Sequence, residues 1–405
     1  AAAMSEANLS ALFWEGFRVD SYEVKASDQL HIRLVPDPDA VPVCGGCQHA
    51  APLIHDVHRR RVRERNFAHY RVWLDVPVRR LRCPQCGPRR ERIDWLAGRR
   101  HLTQAMVDWI EALSRFASLH HVGQLLGVHW HTVRALDHQR LRREVPEPDR
   151  SGVRRLLMDE FALHKGHHYA TVVMDADRRQ ILWIGEGRSR AAIRPFFEWL
   201  GPEACHQIEA VAMDMNTAFD LEVQAHCPNA RIVYDLFHVV AKFGREVIDR
   251  VRVDQAKAIR EDRPAYRAVK RSRWLLLRNR VNLDGRQQER LDTLLEANAP
   301  LMTVYVLKEQ LKEIWYAPSE AEARSRWEDW KALVDQSGIK PLKHFASVLG
   351  RYLHGIVASA THRLNTSMLE GMNNRIKVIK RMAYGYRDTE YFFLKIRDAF
   401  HAKVR

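Results

Sequence analysis

Between residues 155 and 236, short apolar runs alternate with polar turns at strand spacing. Leu156-Leu-Met-Asp-Glu-Phe, His167-His-Tyr-Ala-Thr-Val-Val-Met and Gln180-Ile-Leu-Trp-Ile-Gly predict three strands, with Asp175-Ala-Asp-Arg-Arg as the turn before the third. A helix is expected over 190–200, a buried strand over Glu209-Ala-Val-Ala-Met-Asp214, a helix over 216–226 and a fifth strand over Arg231-Ile-Val-Tyr-Asp-Leu. From about 236 to 400 the apolar residues keep a helical period, as in Trp274-Leu-Leu-Leu, Leu301-Met-Thr-Val-Tyr-Val-Leu and Trp327-Glu-Asp-Trp330, and no strand is predicted.

The N-terminal part has a different rhythm. Leu9-Ser-Ala-Leu-Phe-Trp14 predicts a short helix, and Tyr22-Glu-Val-Lys and Leu30-His-Ile-Arg-Leu-Val predict strands. Tyr70-Arg-Val-Trp-Leu-Asp-Val-Pro-Val-Arg-Arg-Leu-Arg alternates apolar and basic residues and runs into Cys83. It predicts a β-ribbon with a CxxC knuckle at each end, Cys44/Cys47 and Cys83/Cys86. Each CxxC turn points two soft thiolates at one ion, so four of them suit tetrahedral zinc in a structural role; the 35 intervening residues exceed the commonest spacing. Residues 102–143 read as helical. Ser118 to Gly127, a short turn, and a helix from Trp130 have a helix-turn-helix layout, with Trp130, His131, Arg134 and His138 expected toward solvent. Pro146-Glu-Pro-Asp-Arg-Ser-Gly reads as a linker.

Charge narrows the partner. A net charge of +15 over 405 residues argues for a polyanion, nucleic acid before membrane. Residues 55–100 hold fourteen Arg against five acids, and residues 371–405 hold nine Lys and Arg against three. A single basic run is ordinarily a solvated face; two runs flanking candidate chemistry favour phosphate binding. Arg59, Arg60, Arg61, Arg63, Arg65, Arg79, Arg80 and Arg82 are expected on the DNA backbone, with His131 and Arg134 in the major groove. No apolar run is long enough to span a bilayer, no secretion-signal layout opens the chain, and six Cys do not make a disulfide framework. A reducing cytoplasm is expected, with Cys205 and Cys227 as reduced, partly buried thiols.

Three carboxylates carry the candidate chemistry. Asp159 and Asp214 end apolar strand segments that a three-strand meander followed by αβαβ, the order of a ribonuclease-H-like sheet, makes neighbours. Glu370 lies on a late helix that packs alongside. Phosphodiester transfer needs a polarised phosphorus, an activated hydroxyl and a stabilised leaving oxygen, and two Mg²⁺ ions on carboxylate oxygens supply all three. Glu160 is expected on the opposite strand face, Asp175 and Asp177 as turn formers, and Asp220 on a solvated helix face.

This constellation resembles the insertion-sequence DDE transposases, closest to the ISL-three family. The most specific segment is Asn365-Thr-Ser-Met-Leu-Glu370-Gly-Met-Asn-Asn-Arg-Ile-Lys-Val-Ile-Lys-Arg-Met-Ala-Tyr-Gly-Tyr386, similar to the family's block around its glutamate. Tyr234-Asp-Leu-Phe-His238 resembles the Asp-x-x-His signature of DDE enzymes that carry a helical insertion. The resemblance implies metal-dependent excision at terminal inverted repeats and strand transfer into target DNA. Asp159, Asp214 and Glu370 would hold two Mg²⁺ (or Mn²⁺), and Asp235 and His238 would be accessory. Asn373, Asn374, Arg375, Lys377, Lys380 and Arg381 would track the backbone of double-stranded DNA. The expected organisation is multidomain α/β. It comprises a zinc-binding β-ribbon domain over 4–100, a helix-turn-helix over 101–145, a ribonuclease-H-like mixed sheet over 151–240, an all-helical insertion over 241–355, and closing catalytic helices over 356–405. Cutting two ends in one event calls for a homodimer on DNA. A DNA-binding regulator or a structure-selective nuclease built on the same fold are the alternatives.

Overall fold

The computed structural model describes residues 12–98, 101–164, 166, 168–364 and 367–400. The first half of the expected helix Leu9–Trp14, the start of the second strand at His167, and Asn365-Thr366 of the long motif lie outside the described residues. The chain is mixed α/β with two mixed sheets and many helices. It divides into two compact units. One holds residues up to Pro146 with Arg381–Tyr384, and the other holds Glu147–Lys380 and Gly385 onward.

The first unit is built on β1 (Phe17–Lys25), β2 (Gln29–Pro36), β3 (Ile54–Arg63), β4 (Arg71–Cys83) and β5 (Gly87–Arg90). The order is β1-β2-β4-β3 with β5 also on β4, and only β2 and β4 run parallel. Alternation puts Val72, Leu74, Val76 and Val78 of β4 on one face, where they pack with Leu34 and Val62. Three helices follow, α1 (Gln104–Leu113), α2 (Leu119–Leu126) and α3 (Trp130–Glu144). Thr103 and Ser118 cap the first two through their side-chain oxygens. Gly127 ends α2 at φ 64°, the left-handed conformation that glycine adopts without steric cost.

The second unit centres on β6 (Arg155–His164), β7 (His168–Asp175), β8 (Gln180–Glu186), β9 (Ala210–Met213) and β10 (Arg231–Tyr234) in the order β10-β9-β6-β7-β8. β6 to β8 form an antiparallel meander, whereas β9 and β10 run parallel to β6. The crossovers carry α4 (Arg190–Leu200) with α5 (Pro202–His206), and then α6 (Thr217–His226). Past β10 the described residues hold no strand. α7 (Leu236–Phe243), α8 (Asp249–Ala258), α9 (Arg263–Arg271), α10 (Arg273–Leu277), α11 (Gly285–Glu296), α12 (Ala299–Trp315), α13 (Glu320–Gln336), α14 (Lys340–Gly350) and α15 (Leu353–Val357) lead to α16 (Ser367–Met382) and α17 (Thr389–Ala399).

The period of two sorts each strand between two cores. Leu156, Met158, Val211, Met213, Ile232 and Tyr234 join the cluster shared with α4, α6 and the long helical segment. Leu157, Phe161, Ala210, Ala212 and Val233 face the other way, against Met372 and Ile376 of α16 and Phe392 and Ile396 of α17. Full burial of each such side chain stabilises by about 1.5–3 kcal/mol, so α16 is held to the sheet chiefly by its apolar i, i+4 pair. The helical segment is tied to the sheet by Trp315, whose indole donates to the Tyr234 carbonyl at 3.0 Å.

Several expectations change. Asp220 is not on a solvated face: it is 8% exposed and accepts the Tyr234 hydroxyl at 2.6 Å, because its helix packs that side against β10. Cys205 and Cys227 are fully buried rather than partly so. Asp175 does form the turn, accepting from the Asp177 and Arg178 N–H groups, though itself buried.

Candidate functional site

Strand parity decides which carboxylates meet. Asp159 shares its face of β6 with Leu157 and Phe161, the α16 side. Leu157 pairs with Ala212, so Asp159 and Asp214 stand level, each two residues further on. Tyr234 pairs with Met213, which sets Asp235 beside Asp214. Three carboxylates therefore line up across three adjacent parallel strands, Asp214 and Asp235 just past the carboxyl ends of β9 and β10 and Asp159 level with them in the middle of the longer β6. Glu160 takes the opposite face, as alternation requires, and pairs with Arg188 at 2.9 Å.

Hydrogen bonds fix each group. Asp159 is 3% exposed; one oxygen accepts the Glu160 N–H at 2.7 Å and the other accepts Asn373 Nδ2 at 2.5 Å. Asp214 accepts the Met215 N–H at 2.7 Å and lies 2.9 Å from His238 Nδ1. Asp235 caps α7 by accepting the Phe237 N–H at 2.9 Å, and its other oxygen is 3.8 Å from His238 Nε2. His238 thus sits between two acids, one turn into a helix whose cap is one of them.

The electrostatics follow. Burial lifts Asp159 to about 6, against the opposing pull of His238, the Glu160 N–H and Asn373, while the Asp214 charge adds to the lift. Burial also resists ionisation of Asp214, yet its bond to His238 and the nearby Lys242 hold it below the usual carboxylate range. The Asp214 bond holds His238 up to about 9 despite burial, with Asp159 and Asp235 adding to it. At neutral pH the site carries ionised carboxylates around an imidazolium.

Glu370 is on the first turn of α16, exposed, three residues before Asn373 and so on the same side of the helix. Among the described residues, its carboxylate does not join Asp159 and Asp214 within 4.8 Å; the one metal-ligating group that tight is elsewhere. Asn373, expected on DNA, instead holds Asp159; the one sign of this in the chain is its i+3 spacing from Glu370. Lys242, one turn after His238, is not among the residues expected at the site. The donors suit a hard divalent cation. Asp159 and Asp214 offer carboxylate oxygens, and Asn373 Oδ1, buried without a partner, offers a neutral one. The amide's orientation follows from the carboxylate accepting from its nitrogen.

In the first unit, Cys44, Cys47, Cys83 and Cys86 place their sulfurs within 4.8 Å of one another, compatible with zinc. Sulfurs of a tetrahedral site with Zn–S of about 2.3 Å lie roughly 3.8 Å apart, so little rearrangement is needed. The knuckles do not occupy opposite ends of the ribbon. β5 and the Cys44–Glu91 bridge bring both to one end. The Cys47 and Gly46 N–H groups hold the Cys44 thiol down to about 7, which favours a ligating thiolate.

The basic residues divide. Arg63 and Arg79, expected on the DNA-facing surface, are internal. Arg63 donates to the Val72 carbonyl at 3.0 Å and to the Leu126 carbonyl at 2.9 Å, and Arg79 pairs with buried Glu91 at 2.6 Å. Arg59, Arg61, Arg80 and Arg82 are exposed, with Arg59 and Arg80 paired to Asp75 and Asp56. Arg60 is half-buried with a bond to the Gly98 carbonyl, and Arg65 is half-buried beside Glu64. On α3, Trp130 and His131 are exposed with stacked rings, whereas Arg134 and His138 are half-buried rather than fully solvated. On α16, Asn374, Arg375, Lys377 and Arg381 are exposed, and Lys380 donates to the Ala162 carbonyl at 2.7 Å.

A family model described as a transposase matches residues 156–396. The chain belongs to the ISL-three (ISL3) family of insertion-sequence transposases. It is 54% identical over 394 residues to the transposase for insertion sequence element IS1001 of Bordetella parapertussis, covering 97% of each chain. It is 27% identical over 383 residues to the transposase for insertion sequence element IS1557 of Mycobacterium tuberculosis, covering 88% of this chain and 85% of that one.

Proposed function

We propose that this chain is a DDE transposase that binds the terminal inverted repeats of an insertion sequence and cuts and joins their DNA ends. The observation that carries this is the alignment of Asp159, in the middle of β6, with Asp214 and Asp235 at the ends of β9 and β10, and with α16 docked over Asp159 through Asn373. An antiparallel meander extended beyond β6 by the parallel strands β9 and β10 supports a ribonuclease-H-like core, and the helices from 241 to 355 read as its insertion.

Asp159, Asp214 and Glu370 would hold two divalent cations, Mg²⁺ with Mn²⁺ as a substitute, which when bound polarise the phosphate and activate the attacking hydroxyl. The chain's own groups prepare that site. Asn373 holds one oxygen of Asp159, His238 offsets the charge of Asp214 and Asp235, and burial keeps bulk water from Asp159 and Asp235 while Asp214 stays partly open to solvent. Glu370, on the same side of α16 as Asn373, would swing in to complete the site when the cations bind, and Asn374, Arg375, Lys377, Lys380 and Arg381 would bind phosphates of the transposon end.

The first unit would read the ends. A zinc ion on the four cysteines would fix the ribbon, Arg59, Arg60, Arg61, Arg65, Arg80 and Arg82 would hold the backbone, and α3 would present His131 and Arg134 to the major groove. Pairing two ends calls for a homodimer on DNA, working in the bacterial cytoplasm. The test is incubation of the full chain with Mg²⁺, a linear duplex ending in the element's repeats, and a supercoiled target. Nicks at the repeat ends and joined products are expected. Cleavage without joining would favour a nuclease, and binding without cleavage a regulator.

A further inference from the structure

The helical segment carries a basic surface that the site described above does not use. Residues 263–280 hold seven Lys and Arg and no acid. On α9, Arg263, Arg267, Lys270 and Arg271 fall at i, i+4, i+7 and i+8, the spacing that ordinarily marks the core-facing stripe of a helix. Here all four are exposed, while Val269 on the other side is buried. The chain then turns at buried Ser272 into α10, where Leu276 enters the core and Trp274 is 66% exposed. The Arg273 guanidinium lies 5.5 Å from the centre of the Trp274 ring. Among the described residues, Arg263, Arg267, Arg271 and Arg278 have no carboxylate partner.

An ordinary solvated helix mixes both signs of charge, and a lone exposed indole gains nothing from water. A row of unpaired guanidiniums ending at an exposed indole suits a polyanion with exposed ring faces. A lipid surface fits poorly, because the apolar side of α9 is already spent on the core. We propose that α9 and the start of α10 bind DNA at a single-stranded segment, the arginines on phosphates and Trp274 stacked on an unpaired base. This rests on the transposase reading for DNA as substrate and adds a contact on the helical segment.

The full chain is titrated with a blunt duplex and with the same duplex bearing a short single-stranded tail that contains 2-aminopurine. Wild-type protein is expected to bind the tailed probe more tightly and to quench the 2-aminopurine. Trp274→Ala should lose roughly tenfold or more on the tailed probe, and lose the quenching, with blunt-duplex affinity unchanged. Trp274→Tyr should restore both. Arg263→Ala, Arg267→Ala and Arg271→Ala together should flatten the slope of log affinity against log salt by roughly two to three. Unchanged quenching and slope in these variants, with normal wild-type binding, would overturn the proposal and leave the transposase reading standing. Wild-type protein that binds neither probe would overturn both. Dissociation of a dimer by Trp274→Ala, with DNA binding intact, would make a second copy the occupant and overturn it too.

Discussion

Asn373 donates from Nδ2 to Asp159 Oδ2 across 2.5 Å, joining the first strand of the central sheet to a helix 214 residues later. This one bond orients the most buried acid of the row and sets the helix that carries Glu370. Removal of a partner that orients a metal-ligating carboxylate typically costs about 10- to 100-fold. Asn373→Ala is expected to weaken Mg²⁺-dependent cleavage, and Mn²⁺ binding followed by electron paramagnetic resonance, by that factor. Unchanged Mn²⁺ affinity would show that Asp159 does not depend on the amide.

His238 gives a pH signature. Its folded pKa of about 9 exceeds its ordinary value, so it stabilises the fold fully below about pH 6.5 and loses that contribution as pH rises through about 9. Thermal unfolding of the metal-free protein should show a decline across that window, and His238→Asn should lack it. Asp159 runs the other way from an ordinary carboxylate. Its raised pKa makes the fold lose stability as pH climbs from about 4 to about 6, and Asp159→Asn should flatten that limb.

Glu222 is a buried hub for Arg190, Arg194 and His226 at 2.7, 3.1 and 3.2 Å. The Arg194 bond, then the Arg190 bond, hold it down to about 2 against burial. Its stabilisation is complete above about pH 4.5 and is lost as pH falls toward 2. Glu222→Gln is expected to cost about 1–3 kcal/mol near neutrality, where its charged hydrogen bonds are lost, and to remove that part of the acid limb in denaturant titrations. Equal stability at pH 7 and pH 3 in both proteins would contradict this.

The four-cysteine cluster predicts about one zinc per chain by metal analysis of the purified protein. Little else holds that corner, since its apolar cluster is only Ala51, Leu81 and the cysteines themselves. Cys83→Ser, or a strong chelator, should abolish protection of residues 43–50 and 83–91 in hydrogen exchange while leaving the second unit's protection intact. Protection that survives metal removal would mean that the knuckles fold unaided.

The sheet was legible because strand period and turn residues agree along β6 to β10, and a carboxylate after an apolar strand has few places to go. What escaped was tertiary. Asp220 looks like any helical surface acid until Tyr234 is seen beneath it. Arg63 and Arg79 sit in runs of arginine that composition cannot divide into surface groups and internal struts. Asn373 offered only spacing from Glu370, with nothing in the chain to name Asp159 as its partner.

Whether Asp159 belongs to a metal-dependent DNA-cleaving site is tested most directly by comparing wild-type protein with Asp159→Asn on a terminal-repeat duplex in Mg²⁺. The substitution keeps the shape of a buried side chain and removes its charge. Undiminished duplex binding with cleavage lost to background is the result predicted here, whereas cleavage at a wild-type rate by Asp159→Asn would contradict the account.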